Sequence, residues 1–192
     1  TLLLISHQPA RLLPTIRSRC RVLRLAPLGP EPLGQALAQI GVEVEDSTAL
    51  GELASGSAGD ALRLIAQDGI ALYAKLVSLM SAAPNMDRQA ARALAEAVTA
   101  RGAEERLQVM LRLLDLALVR LSRTAAGHAP PNPGAPGETD AWAKLALAAP
   151  ARDWAELQQT LSARLGHGLA VNVDAQSLLM DAFLQINETA RA

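Results

Sequence analysis

The 192-residue chain is long enough for one or two domains with hydrophobic cores, and half of its residues are hydrophobic, which excludes a largely disordered chain. Its formal net charge of -1 provides no general basic field for nucleic acid, and its single cysteine excludes an internal disulfide and multi-cysteine metal sites. Aromatic residues make up only 2%, while Ala and Leu dominate, which favours packed helices over a β-sandwich.

The first 27 residues contain two short apolar runs, at 2–5 and 22–25. Apolar runs without alternation are typical of strands that are buried on both faces, so each run predicts a strand. Between them, residues 11–21 read Arg-Leu-Leu-Pro-Thr-Ile-Arg-Ser-Arg-Cys-Arg. Pro14 predicts a short or irregular helical turn there. The triplet Ser18, Arg19 and Cys20 is therefore expected on the surface between helix and strand, with Cys20 packed at the start of the second strand.

Residues 28–69 carry three short helical patterns. Pro32 can open the first, and Asp46 or Ser47 can cap the second. The third begins at Gly-Ser-Ala-Gly-Asp, where Ser57 and Asp60 resemble a capping box with Asp in place of the usual Glu. A further apolar helix is predicted over residues 70–83.

The rest of the chain, from about 84 to 190, predicts an antiparallel bundle of about five helices. Helices are expected over about 87–100 and up to about 126, then around Trp142, then from about Pro150 to a stop at Gly166. Asn172 or Asp174 can cap the last one. The two tryptophans are expected to be core anchors, because the chain has few other aromatic residues. The Gly- and Pro-rich stretch 127–137 predicts an exposed, mobile loop without chemistry.

The stretch 11–21, placed between two predicted strands and ahead of an all-helical remainder, resembles the clamp-loader branch of the AAA+ ATPases. In that family the arginine of the Ser-Arg-Cys triplet reaches into the nucleotide site of the neighbouring subunit. The resemblance therefore implies that Arg19 is an arginine finger, with Ser18 and Cys20 as its motif neighbours. Ser6 stands where these ATPases place a polar sensor residue, although a simple strand-end turn explains it equally well.

The resemblance also implies a domain organisation within a mainly α fold. Residues 1–27 would be a remnant of the AAA+ α/β core, residues 28–83 a helical lid, and residues 84–192 the collar bundle through which subunits assemble. The phosphate-loop pattern and an acidic Walker B strand are both missing from the sequence, so we expect the chain to hold only the last part of such a core. Active members resemble Gly-Ser-x-Arg-Asp-Ala-Leu at the third lid helix, and Gly59 takes the place of the nucleotide-sensing arginine here.

These features favour a non-hydrolysing clamp-loader subunit that acts in DNA replication. Its implied partners are the other subunits of a hetero-pentamer, with the sliding clamp and primer-template DNA reached through the complex. ATP and Mg²⁺ would be bound by neighbouring subunits, with no cofactor or metal held by these residues.

Two alternatives remain: part of a hydrolysing motor subunit, and a helical nucleic-acid-binding or adaptor domain. The arginines clustered in residues 11–24 would support the latter, and a solvated basic turn is the other explanation of that cluster. With no signal peptide or membrane span in the sequence, a cytoplasmic location is expected.

Overall fold

The structure, a computed structural model, describes residues 2–6, 8–44 and 46–191. These residues form a short 3-10 turn at Pro9–Arg11 and ten α-helices. The helices are α1 (Pro14–Arg17), α2 (Pro30–Gln39), α3 (Ser47–Leu53), α4 (Ala58–Ala66), α5 (Gly69–Ser81), α6 (Arg88–Thr99), α7 (Glu104–Ala125), α8 (Glu138–Ala148), α9 (Ala151–Ala170) and α10 (Ala175–Thr189). The prediction of a mainly helical fold is confirmed.

The two predicted strands are not formed. Residues 2–5 and 22–25 have no regular secondary structure and no strand partner within the described part of the chain, and their apolar side chains face solvent. Leu3 and Ile5 are 87% and 90% exposed. A strand is stabilised by hydrogen bonds to a neighbouring strand and by a covered apolar face, and the described segments supply neither. The prediction of strands at these positions is therefore wrong for this structure.

The helices α2 to α4 form a small layer with conventional caps. The first begins at Pro30, two residues earlier than predicted, and Pro occupies the first helical position. The side chain of Asp46, rather than that of Ser47, caps α3 by accepting from the amides of Thr48 and Ala49. The inner face of this layer includes Leu33, Leu37 and Leu50, whose side chains are completely buried.

The long helix α7 is at the centre of the second half of the chain. It contacts α6, α8 and α9, and α10 packs against α6 and α9. Trp142 and Trp154 are fully buried among these helices, as predicted from the scarcity of aromatic residues. No helix in the described part of the chain is both long enough and apolar enough to cross a membrane.

The ninth helix does not stop at Gly166 as predicted. It continues to Ala170, because one interior glycine costs a helix only about 1 kcal/mol, less than the packing of the surrounding turns provides. Leu161 and Leu165 are buried on the same side of this helix. A second glycine, Gly168, lies close to α10, since a Cβ atom at that position would be 2.8 Å from the Leu178 side chain and would require that side chain to shift.

The proposed division at residue 84 remains a prediction, and α5 bears on it. This helix precedes the division, yet it packs against α7 and α8, and its side chains at Leu72, Tyr73, Leu76 and Met80 are fully buried. Each large apolar side chain buried in this way contributes about 1.5–3 kcal/mol.

We therefore expect a chain of residues 69–192 to unfold at a markedly higher temperature than one of residues 84–192. The difference in the free energy of unfolding should be several kcal/mol, because each lost apolar side chain removes about 1.5–3 kcal/mol. Circular dichroism melting curves of the two proteins measure it. Equal midpoints would mean that α5 adds nothing to the stability of the bundle.

Candidate functional site

Arg19 lies in the exposed turn that follows α1. Pro14 occupies the first position of this helix, and its carbonyl accepts from the amide of Ser18 at 2.9 Å. The amide of Arg19 donates to the carbonyl of Ile16 at 3.1 Å, which tightens the turn. The Ser18 hydroxyl donates to the carbonyl of Thr15 at 3.3 Å. These local bonds hold the backbone of the triplet and leave the guanidinium of Arg19 facing solvent.

The other predicted site residues of this segment lie at different depths. Cys20 is a free, exposed cysteine, so its prediction as a packing residue is wrong, because the strand that it would begin does not form. Ser6 is half-buried in a stretch without regular secondary structure. The structure therefore places Ser18, Arg19 and Cys20 consecutively in one exposed turn, while Ser6 belongs to a separate part of the chain that precedes α1.

The segment that carries Arg19 joins the helical layer beside the turn between α3 and α4. The amide of Leu28 donates to the carbonyl of Gly56 at 2.9 Å. Gly56 has a φ of +71°, and a Cβ atom there would lie 2.6 Å from the carbonyl oxygen of Leu28 and 2.7 Å from Pro27. Only glycine fits this conformation and this close approach. The Arg19 segment is therefore attached at the turn that precedes α4.

The start of α4 has half of the predicted capping box. The Ser57 hydroxyl accepts from the amide of Asp60 at 3.2 Å, as a capping residue does. The Asp60 carboxylate does not reach back to Ser57. It contacts Arg63 at 3.0 Å and Arg112 of α7 instead. Burial raises the pKa of Asp60, but the hydrogen bonds and charges of Arg112 and Arg63 outweigh it and hold that pKa below its usual value.

Gly59, at the position where the resemblance expects a sensing arginine, lies exposed in the first turn of α4. A Cβ atom at this position would meet nothing within 4 Å, so the backbone and the space both accept a side chain. Glycine is thus not required here by packing, which leaves its presence unexplained by the fold.

We expect Gly59→Ala to raise the free energy of unfolding by about 0.4–1 kcal/mol, because alanine lowers the entropy of the unfolded chain without strain in the helix. Chemical denaturation measures the change. Destabilisation would contradict the open environment at this position. The matched Gly168→Ala change should stabilise the protein less, since its Cβ would lie 2.8 Å from the Leu178 side chain, which would have to shift.

A groove of about 480 Å³ lies between α4, α7 and α9. Asp60, Arg63 and Arg112 border it, and its floor is apolar, with Leu53, Leu64 and Leu165 among the lining residues. Further along the same seam, the side chain of Arg106 donates to the carbonyl of Gln67 at 3.1 Å. On the α9 side of the groove, the Gln158 side chain donates to the Asp115 carboxylate of α7 at 2.6 Å, so polar contacts join α7 to both α4 and α9.

A buried ionic cluster, which the sequence did not predict, lies nearer the C-terminal end of α7. Arg120 is only 5% exposed and donates to the carboxylates of Glu138 (2.6 Å) and Glu52 (3.0 Å) and to the carbonyl of Asn132 (2.6 Å). Glu138, 1% exposed, also accepts from the Tyr73 hydroxyl at 2.8 Å and from the indole of Trp142 at 2.7 Å. We call these residues the Arg120 cluster.

The charges in the Arg120 cluster stabilise each other. Burial alone would lower the pKa of Arg120, but the hydrogen bonds and charge of Glu138, together with Glu52, raise it. Burial and the negative charge of Glu138 both raise the pKa of Tyr73, so this phenol stays protonated and remains a donor. The cluster is a hydrogen-bonded network in which Arg120 of α7 contacts Glu52 of α3 and Glu138 of α8, and Glu138 in turn contacts Tyr73 of α5.

The stretch 127–137 is correspondingly not the freely exposed loop that was predicted. Gly134 and Ala135 are buried, and the amide of Gly134 donates to the Glu138 carboxylate. The position of Arg120 gave one signal that could have indicated this arrangement. It follows Leu113 by seven residues and Ala117 by three, so the arginine falls on a buried face of α7 and must be paired there.

Within the described residues, no group of three or more His, Cys, Asp or Glu side chains could hold a metal ion. No protein-family model, curated protein or solved structure matches the chain. The geometry and the sequence motif are thus the grounds for a functional proposal.

Proposed function

We propose that the chain belongs to a non-hydrolysing subunit of a clamp loader, of the kind represented by the delta-prime subunit of bacterial DNA polymerase III. The observation that carries the proposal is the stretch 11–21 with Arg19 in its exposed turn. An arginine that acts on a neighbouring subunit must project from the surface on a short, locally stabilised backbone. The turn after α1 has both properties.

Two further observations support this function. Gly59 stands at an exposed position where neither packing nor backbone conformation demands glycine, which agrees with a module that does not sense its own nucleotide. The remainder of the chain is helical, with a small layer from α2 to α4 followed by larger packed helices. We assign subunit assembly to the surface of α6 to α10.

The proposed chemistry is phosphoryl transfer assisted from a neighbouring subunit. The guanidinium of Arg19 is planar, offers paired donors and stays charged at any working pH. Placed against the γ-phosphate of ATP bound by the adjacent subunit, it would neutralise charge that develops in the transition state. Because the two subunits must be correctly juxtaposed for this contact, hydrolysis would report on the geometry of the complex. Clamp release would thereby be coupled to ATP.

The experiment that tests this function is reconstitution of the full-length protein with the remaining clamp-loader subunits. We expect the protein to enter the complex stoichiometrically by native mass spectrometry. Loading of a fluorescent sliding clamp onto primer-template DNA should require it. A protein that stays outside the complex, or that is dispensable for loading, would refute the assignment.

A further inference from the structure

The stretch 128–137, which we call the strap, crosses from α7 to α8 and touches the body of the protein at few points. Asn132 is half-buried, and Gly134 and Ala135 are buried, whereas His128, Pro131 and Pro133 are exposed. The Asn132 side chain donates to the Glu52 carboxylate at 3.1 Å. The strap is thus fastened mainly through its middle, at the Arg120 cluster.

The composition of the strap allows it to close at low cost. Pro130, Pro131, Pro133 and Pro136 have no amide donors that would need partners, and they restrict the conformations of the open strap. The polar groups of its buried part find partners within the Arg120 cluster, through the Asn132 carbonyl and the Gly134 amide. Closure therefore depends on a few specific contacts rather than on a large apolar surface.

The strap also fits closely against α3 and α5 at Gly134. A Cβ atom on Gly134 would lie 2.7 Å from Leu53 of α3 and 3.0 Å from the ring of Tyr73 on α5. These neighbours are themselves buried and cannot move away freely. The closed position thus has space for glycine alone, and opening the strap would expose surface on Leu53 and Tyr73.

We propose that the strap is a separately opening element, held closed by the Arg120 cluster and by the fit of Gly134, which covers part of the surface of α3 and α5. It opens without unfolding of α7, α9 or α10. This inference is independent of the role proposed for Arg19.

Hydrogen exchange with mass spectrometry on the whole chain tests the proposal. In the unaltered protein, the hydrogen-bonded amides of Gly134 and Glu138 should exchange at least tenfold faster than those in the middle of α7, and with little dependence on low denaturant concentrations, because opening exposes little surface. Exchange of these amides at the rate of α7 and with the same denaturant dependence would overturn the proposal.

Gly134→Ala provides a second test, since its added methyl group obstructs the closed position of the strap and leaves every charge in place. We expect its strap amides to exchange at least tenfold faster than in the unaltered protein, with the α9 and α10 amides unchanged. Gly166→Ala, whose Cβ meets nothing within 4 Å, is the matched control and should leave the strap unaffected. Unchanged strap exchange in Gly134→Ala, or equal acceleration in all helices, would overturn the proposal.

Discussion

Arg19→Ala in the full-length protein should leave folding and assembly intact while it strongly reduces DNA-stimulated ATP hydrolysis and clamp loading by the reconstituted complex. The side chain is exposed in a turn, so its removal costs the fold little. Arginines that act from a neighbouring subunit contribute about 10³- to 10⁵-fold in well-studied phosphoryl-transfer enzymes. The loss in total turnover should be smaller, because other sites in the complex keep their own arginines.

Two further variants distinguish an arginine-finger role of Arg19 from a general effect of positive charge. Arg19→Lys should recover little activity, since a point charge cannot replace the paired donors of a guanidinium. Arg24→Ala removes another exposed positive charge from the same segment and should retain nearly full activity. Equal losses in Arg19→Ala and Arg24→Ala would instead favour a diffuse basic surface.

Arg120→Met should lower the free energy of unfolding by about 3–5 kcal/mol, because removing one partner leaves buried carboxylates uncompensated. Glu138 would keep its donors from Tyr73 and Trp142 but lose the only cation that contacts it within the described residues. Urea denaturation followed by circular dichroism measures the loss. A change under about 0.5 kcal/mol, the range of ordinary surface substitutions, would show that the cluster contributes little to stability.

Arg152→Met is the matched control for Arg120→Met. Arg152 also pairs with a glutamate, Glu156, at 2.6 Å, but both side chains are largely exposed. Exposed pairs of this kind add little to stability, so the control should be close to neutral. Adding Glu138→Gln to Arg120→Met should recover part of the lost stability, since it removes the stranded charge.

The helices could be predicted because their signals are local. Apolar residues recur at helical spacing, and side chains such as those of Asp46, Ser57 and Asp174 cap the chain where the pattern begins. The end of α9 was misjudged, because packing against α10 outweighed the cost of Gly166. Local sequence signals therefore predict the helices but not every helix boundary.

The predicted strands failed because a strand depends on partners elsewhere. Leu2–Ile5 has the composition of a buried strand, yet the described residues provide no sheet to receive it. The Arg120 cluster was missed for a related reason. Its members come from α3, α5, α7 and α8, and only the fold brings Glu52 and Glu138 to the same guanidinium. The exposed turn that carries Arg19, by contrast, depends on bonds within six residues and could be anticipated.

The most direct test of the role of Arg19 is single-turnover ATP hydrolysis at the one site it would serve. The complex for this test has inactivated phosphate loops in every ATP-binding subunit except the one adjacent to this protein. Only that adjacent subunit then hydrolyses ATP. With Arg19→Ala, the rate at that site should fall about 10³-fold or more, while ATP binding there changes little. A single-turnover rate within twofold of the unaltered complex would contradict the proposal and remove Arg19 from the mechanism.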